Sequence, residues 1–136
     1  LNQETYLFNL SIRENFNLIN NSIKRQEEIC KFTGVSNFIE GLPNGYDTII
    51  DENSNNLSGG QKRLLSLTRM LLKESKILIL DEATSSLDKE KVEKFSKILE
   101  KLKENHTIIV ITHKKEIIDI ADETIVINKG KVKIKI

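Results

Sequence analysis

Two four-residue apolar runs, ILIL at 77–80 and IIVI at 108–111, stand on either side of one long amphipathic stretch, and no other feature constrains the fold as much. A short run without polar alternation suits a strand covered on both faces, a buried parallel strand rather than a solvated edge. Between the runs, DKEKVEKFSKILEKLKEN puts Val92, Phe95, Ile98, Leu99 and Leu102 on one stripe behind an Asp88 cap. Glu90–Lys94 and Glu93–Lys97 have the spacing for modest i,i+4 support. The alternation continues through the helix KKEIIDIA and the strand ETIVIN, and Gly130 then turns the chain into KVKIKI, a predicted antiparallel edge protected by lysines. Strands alternating with helices predict an α/β layer with a mostly parallel sheet.

The first half reads as helices broken by loops. Ser11 with Glu14 three residues on has the spacing of a capping box, and NNSIKRQEEICKF carries Ile23, Ile29 and Phe32 around a charged face until Gly34 stops it. LPNGYDT at 42–48 holds the only proline and an Asn-Gly pair, which predicts a turn. Ser58 then caps a helix running through about Lys73.

With a formal net charge of +1 and lysines mixed among acids, no field marks a binder of nucleic acid or of anionic membranes, and no nucleic-acid partner is expected. No apolar run approaches the ~20 residues that span a bilayer. Cys30, the only cysteine, lies on an apolar side and is expected to pack as a small hydrophobe in a reducing setting. The chain opens without methionine, so an excised piece of a longer protein is expected.

Two adjacent glycines, Gly59 and Gly60, follow Ser58 at the mouth of a helix, where they weaken its first turn. A helix N-terminus presents unpaired amides and the positive end of a dipole, and missing side chains let a phosphate reach the backbone. A bare Ser-Gly-Gly is more often a flexible turn. Here Gln61, a basic-apolar helix and a downstream strand ending in two carboxylates shift the balance towards an anion site. Asp81 and Glu82 stand at the C-terminal end of ILILDE, where open α/β sheets place their ligands. One such carboxylate can hold hydrated Mg²⁺, and its neighbour can orient or deprotonate water. Asp88 ends ATSSLD at 83–88 as a helix cap, and His113 comes after TIIVIT at another strand end, whereas His106 reads as a structural residue at a helix terminus.

Taken in order, these segments resemble the nucleotide-binding domain of ATP-binding cassette (ABC) proteins of the exporter type. LSGGQ (57–61) is similar to the family's signature, ILILDE (77–82) to its Walker B strand, SSLD (85–88) to its D-loop and ITH (111–113) to its switch histidine. QETYLFNLSIRENF (3–16) resembles the Q-loop and the segment after it, with Gln3 as the glutamine. GLPNGYDTIIDENSNNLSGGQ (41–61) resembles the run-up to the signature, with Glu52 at the acidic position and a departure at Ser54, where the family has glycine. No G-x-x-x-x-G-K-[ST] phosphate loop occurs, so the resemblance is to the C-terminal part of a cassette from the Q-loop onward, lacking Walker A.

The resemblance implies a partial P-loop NTPase (RecA-like) core with the ABC α-helical subdomain. Residues 1–74 would form the Q-loop segment and helical subdomain, and 75–136 the C-terminal part of the ATPase core. It further implies ATP and Mg²⁺ bound head to tail between this cassette and a second nucleotide-binding domain. Ser58, Gly59, Gly60 and Gln61 would meet the nucleotide held by the partner, with Asp88 communicating across the dimer. Asp81 and Gln3 would serve the metal, Gln3 also sensing the nucleotide, while Glu82 and His113 act in catalysis. The implied location is the cytoplasmic face of the cell membrane, through a transmembrane domain outside this chain. Two other functions stay open: a soluble ABC-type ATPase without a transmembrane partner, and a non-catalytic binding module.

Overall fold

The computed structural model describes residues 7–50, 57–85 and 87–135. Gln3, Glu52, Ser54 and Ser86 lie outside the described residues. In chain order come α1 (Ile12–Asn17), α2 (Ile23–Thr33), α3 (Val35–Ile39), a 3-10 turn (Gly45–Asp47), α4 (Gly59–Leu71), β1 (Ile77–Asp81), α5 (Lys89–Leu102), β2 (Thr107–Ile111), α6 (Lys115–Ile118), β3 (Thr124–Asn128) and β4 (Lys131–Lys135).

Local signals set the ends of these elements. The Ser11 amide donates to Glu14 Oε2 at 2.8 Å and the Glu14 amide to Ser11 Oγ at 3.1 Å, the reciprocal capping box that the spacing predicts. Gly34 ends α2 with φ +76°, a left-handed conformation that would strain a residue bearing a Cβ. Asn15, fully buried, accepts from the Phe8 amide and donates to the carbonyls of Phe8 and Ser11, holding the chain before α1 in place. Residues 10–12 pair with 48–50 through Ile12 N to Thr48 O and Ile50 N to Leu10 O.

Helix α4 is the central element. Leu65, Ser66, Leu67 and Thr68 are buried in succession because α1, α2 and α3 surround it. On the α2 side, Thr33 and Thr68 hydroxyls meet at 2.8 Å, each also within reach of a carbonyl on its own helix. Cys30 is fully buried, as a small hydrophobe would be.

β1 and β2 pair in parallel, Ile77 opposite Thr107 and Asp81 opposite Ile111. β3 and β4 pair antiparallel, as the KVKIKI alternation predicts. Double-sided burial of ILIL is not what the structure shows. Leu78 and Leu80 enter the same core as Val92, Phe95 and Leu99 of α5. Ile77 and Ile79 are 59% and 55% exposed, beside equally exposed Ile109 and Ile111. Strand neighbours point to opposite faces, and no described element covers the second face. Among the described residues the strands form two two-stranded sheets, and a cavity of about 710 Å³ opens between β2 and β3, with Ile108 and Val110 on one wall and Ile125 and Ile127 on the other. No described helix is long and apolar enough to cross a membrane.

Candidate functional site

Ser58 opens α4 in extended geometry, and its capping box is complete: the Ser58 amide donates to Gln61 Oε1 at 2.7 Å and the Gln61 amide to Ser58 Oγ at 3.2 Å. The box engages Gln61 with its own helix. Gly59 and Gly60, in the first turn, have no intrahelical acceptor for their amides.

The two glycines differ in what surrounds them. A Cβ on Gly60, which is buried, would lie 2.9 Å from Lys91 Cδ and 3.4 Å from Leu87 Cδ2, so the first turn of α4 packs closely on the start of α5. A Cβ on Gly59 would meet nothing within 4 Å, and that residue is exposed. Packing within the described residues therefore accounts for a small residue at 60 and leaves the one at 59 facing open space.

The second group forms at the C-terminal edge of the parallel pair. The register that sets Asp81 opposite Ile111 brings the residues just past both strands together. Glu82 donates its amide to the Ile111 carbonyl at 2.9 Å and receives the Ser85 amide on its own carbonyl at 3.0 Å. Its φ is +45°, in a region that costs a non-glycine residue on the order of 1–3 kcal/mol and that clusters at working sites. Glu82 Oε1 lies 3.2 Å from His113 Nδ1, with the histidine side chain 67% exposed and the glutamate 25%. Glu82 Oε2 is buried and has no hydrogen-bond partner among the described residues. A carboxylate oxygen left in that state is ready for a water or a ligand.

Asp81 is half-buried beside this pair. Among the described residues no cluster of three or more acidic, histidine or cysteine side chains could cage a metal ion. A single carboxylate still fits Mg²⁺, which keeps waters and takes oxygens from substrate phosphates. Asp88 caps α5 through the Lys91 amide at 3.0 Å, and its hydrogen bond with the Lys91 ammonium holds its carboxyl below the usual range. His106 Nδ1 lies 3.1 Å from the Leu102 carbonyl, the structural role expected of it.

Thus the structure brings Asp81, Glu82 and His113 to one edge, and Ser58, Gly59, Gly60 and Gln61 to the mouth of α4. The segment between Glu82 and Lys91 joins the two groups. One side-chain tie to it, which sequence reasoning misses, is Arg63 of α4: it is only 6% exposed and donates from Nη2 to Ser85 Oγ at 3.3 Å. In the sequence Arg63 is one of several basic residues on a helix, and nothing in its spacing marks it as buried.

Known proteins share this outline. The sequence matches the family described as RecF/RecN/SMC N terminal domain across residues 7–135. It is 42% identical over 136 residues to an ATP-dependent lipid A-core flippase of Haemophilus influenzae, covering 98% of this chain and 23% of that protein. It is 40% identical over 134 residues to the multidrug resistance protein pgp-1 of Caenorhabditis elegans, covering 97% of this chain and 10% of that one. Among solved structures, a bacterial Atm1-family ABC exporter with ATP bound aligns at a TM-score of 0.82 with 32% identity, over 94% of this chain and 23% of the other. The chain spans about a quarter or less of the length of these relatives.

Proposed function

The chain belongs to the RecF/RecN/SMC N terminal domain family and carries the nucleotide-binding part of ABC-type exporters, and on that premise we propose that it hydrolyses ATP within a larger protein to drive transport across a membrane. The observation that carries this reading is the Glu82–His113 pair at the sheet's C-terminal edge, with Glu82 Oε2 unpartnered. Residues 1–74 act as the helical subdomain with its Q-loop segment, and 75–136 as the C-terminal part of the ATPase core.

Glu82 polarises the attacking water through the free oxygen of its carboxylate, and the contact with His113 holds the other oxygen in place. His113, largely exposed, reaches the γ-phosphate and stabilises charge as the bond to the leaving group breaks. Asp81 would help to hold Mg²⁺, which would supply positive charge to offset that developing on the phosphates. Gln3 contributes to the same metal.

Ser58, Gly59 and Gly60 cradle the γ-phosphate of a second ATP, held by the phosphate loop of a partner cassette in a head-to-tail dimer. The open space beside Gly59 supports this, since a phosphate can approach its amide unobstructed. Gln61 fixes the cap, and Asp88 meets the partner. The phosphate loop is supplied from outside these residues. Its strand fits the cavity between β2 and β3, which lies beside two strand edges.

In the full-length protein, Glu82→Gln is expected to abolish phosphate release while ATP binding persists. Unaffected hydrolysis removes Glu82 from the role of base. The same assay on the 136 residues alone is expected to read near background; turnover like an intact cassette would refute the need for an external phosphate loop. The family description also covers RecF, RecN and SMC proteins, which favours a second reading, an ATPase without a membrane partner. Fractionation separates the two, because an exporter sediments with membranes and the alternative does not.

A further inference from the structure

The two groups of site residues serve different nucleotides if the head-to-tail reading holds: the mouth of α4 meets the partner's ATP, and Glu82 acts on this cassette's own. Within one chain they are mechanically joined. The first turn of α4 packs on α5 at Gly60, with no room for a Cβ beside Lys91 and Leu87 unless one moves. One turn further along α4, Arg63 Nη2 donates to Ser85 Oγ at 3.3 Å, and the Ser85 amide closes a turn onto the Glu82 carbonyl at 3.0 Å. Glu82 is the strained residue of that turn, at φ +45°. A left-handed glutamate persists only where its surroundings hold it there.

We propose that Arg63 is a positioning residue that links the two ATP sites of the dimer, transmitting occupancy of the α4 mouth through Ser85 to the orientation of Glu82. The inference rests on the function proposed above. Arg63 is 6% exposed, so its hydrogen bond to Ser85 is shielded from competing water. The linkage is short, running from helix to turn to catalytic carboxylate with one side-chain contact in it. Asp88, by contrast, is exposed and already paired with Lys91.

The test is a double-mutant cycle in the full-length protein, with ATP hydrolysis measured against ATP concentration for Arg63→Gln, Ser85→Ala and the double variant, and Glu82→Gln as a reference. Each single change is expected to lower kcat about fivefold, the factor for one net hydrogen bond, and to bring the Hill coefficient for ATP towards 1. The double variant is expected to fall no further than the worse single one. A loss that multiplies in the double variant, or a Ser85→Ala protein with the wild-type Hill coefficient, overturns the link. Should Arg63→Gln melt early, Ser85→Ala decides alone, because it removes the acceptor without truncating a buried side chain. Hydrolysis that survives Glu82→Gln overturns the proposed function itself, an outcome separate from failure of the link.

Discussion

His113 Nδ1 lies 3.2 Å from Glu82 Oε1, although 31 residues separate the two in the chain. Parallel pairing of β1 and β2 in the register Asp81 to Ile111 creates the contact, because each side chain sits just past a strand end. Replacing His113 with alanine frees the second carboxylate oxygen of Glu82 and removes the phosphate contact proposed for it. In the full-length protein, kcat is expected to fall by about a hundredfold or more, with the melting temperature near that of the wild type. A loss confined to KM would assign His113 to binding alone.

Gly59 and Gly60 are expected to respond differently to alanine. At Gly59 a methyl group has open space and helical backbone, so Gly59→Ala should stabilise the fold by roughly 0.4–1 kcal/mol through the unfolded chain. On the proposed function the same change should depress ATP turnover, because it would crowd the amide proposed to meet phosphate. Gly60→Ala displaces the Lys91 stem or Leu87 and should be the less stable of the two variants. Denaturant melts and phosphate release measured together check both; a Gly59→Ala protein with full turnover would dismiss the close approach of a phosphate.

The Thr33–Thr68 pair invites a count of protons. Two hydroxyls have two protons for three close contacts: with each other at 2.8 Å, with the Ile29 carbonyl at 2.9 Å and with the Leu64 carbonyl at 2.8 Å. Either threonine can be lost and the other still donates to its own helix. Each Thr→Val change is therefore expected to cost about 1 kcal/mol, and the double change less than the sum. Additive costs in chemical denaturation would show that the hydroxyls do not interact.

Asp88 sets a pH dependence. Its carboxyl titrates below the ordinary 3.8 in the folded chain, chiefly through its hydrogen bond with Lys91, so folding favours the ionised form. That contribution is complete above the unfolded value and disappears as pH falls through the folded one. Asp88→Asn keeps a good cap but gives up the charge. It should melt below the wild type at neutral pH, and the gap should close as the solution is acidified past 3.8. A gap that stays constant with pH would show that the carboxylate charge contributes nothing.

Much of the local structure was legible in the sequence. Capping at Ser11, Ser58 and Asp88, the Gly34 stop and the antiparallel hairpin rest on interactions between residues a few positions apart. The likeness to ABC cassettes was equally legible, because it is carried by several short motifs in a fixed order. Of the site, the residue types and their positions at strand ends and at a helix mouth could be read directly.

The apolar runs led to the wrong burial. Ile77 and Ile79 look no different in sequence from Leu78 and Leu80, yet only the leucines enter the core. Periodicity reports which residues share a face; whether that face meets another layer depends on what packs there. Arg63 was illegible for a related reason. Its contact with Ser85 spans 22 residues and exists only once α4 docks beside the turn after β1.

By itself, then, the sequence determined caps, turns, helix stripes and family, all of which are properties of neighbouring residues or of ordered motifs. Tertiary structure alone decided that Glu82 meets His113, that Gly60 is packed while Gly59 is open, and that Arg63 ties the two groups together. Those relations arise from strand register and helix docking, which bring distant residues to within hydrogen-bond distance.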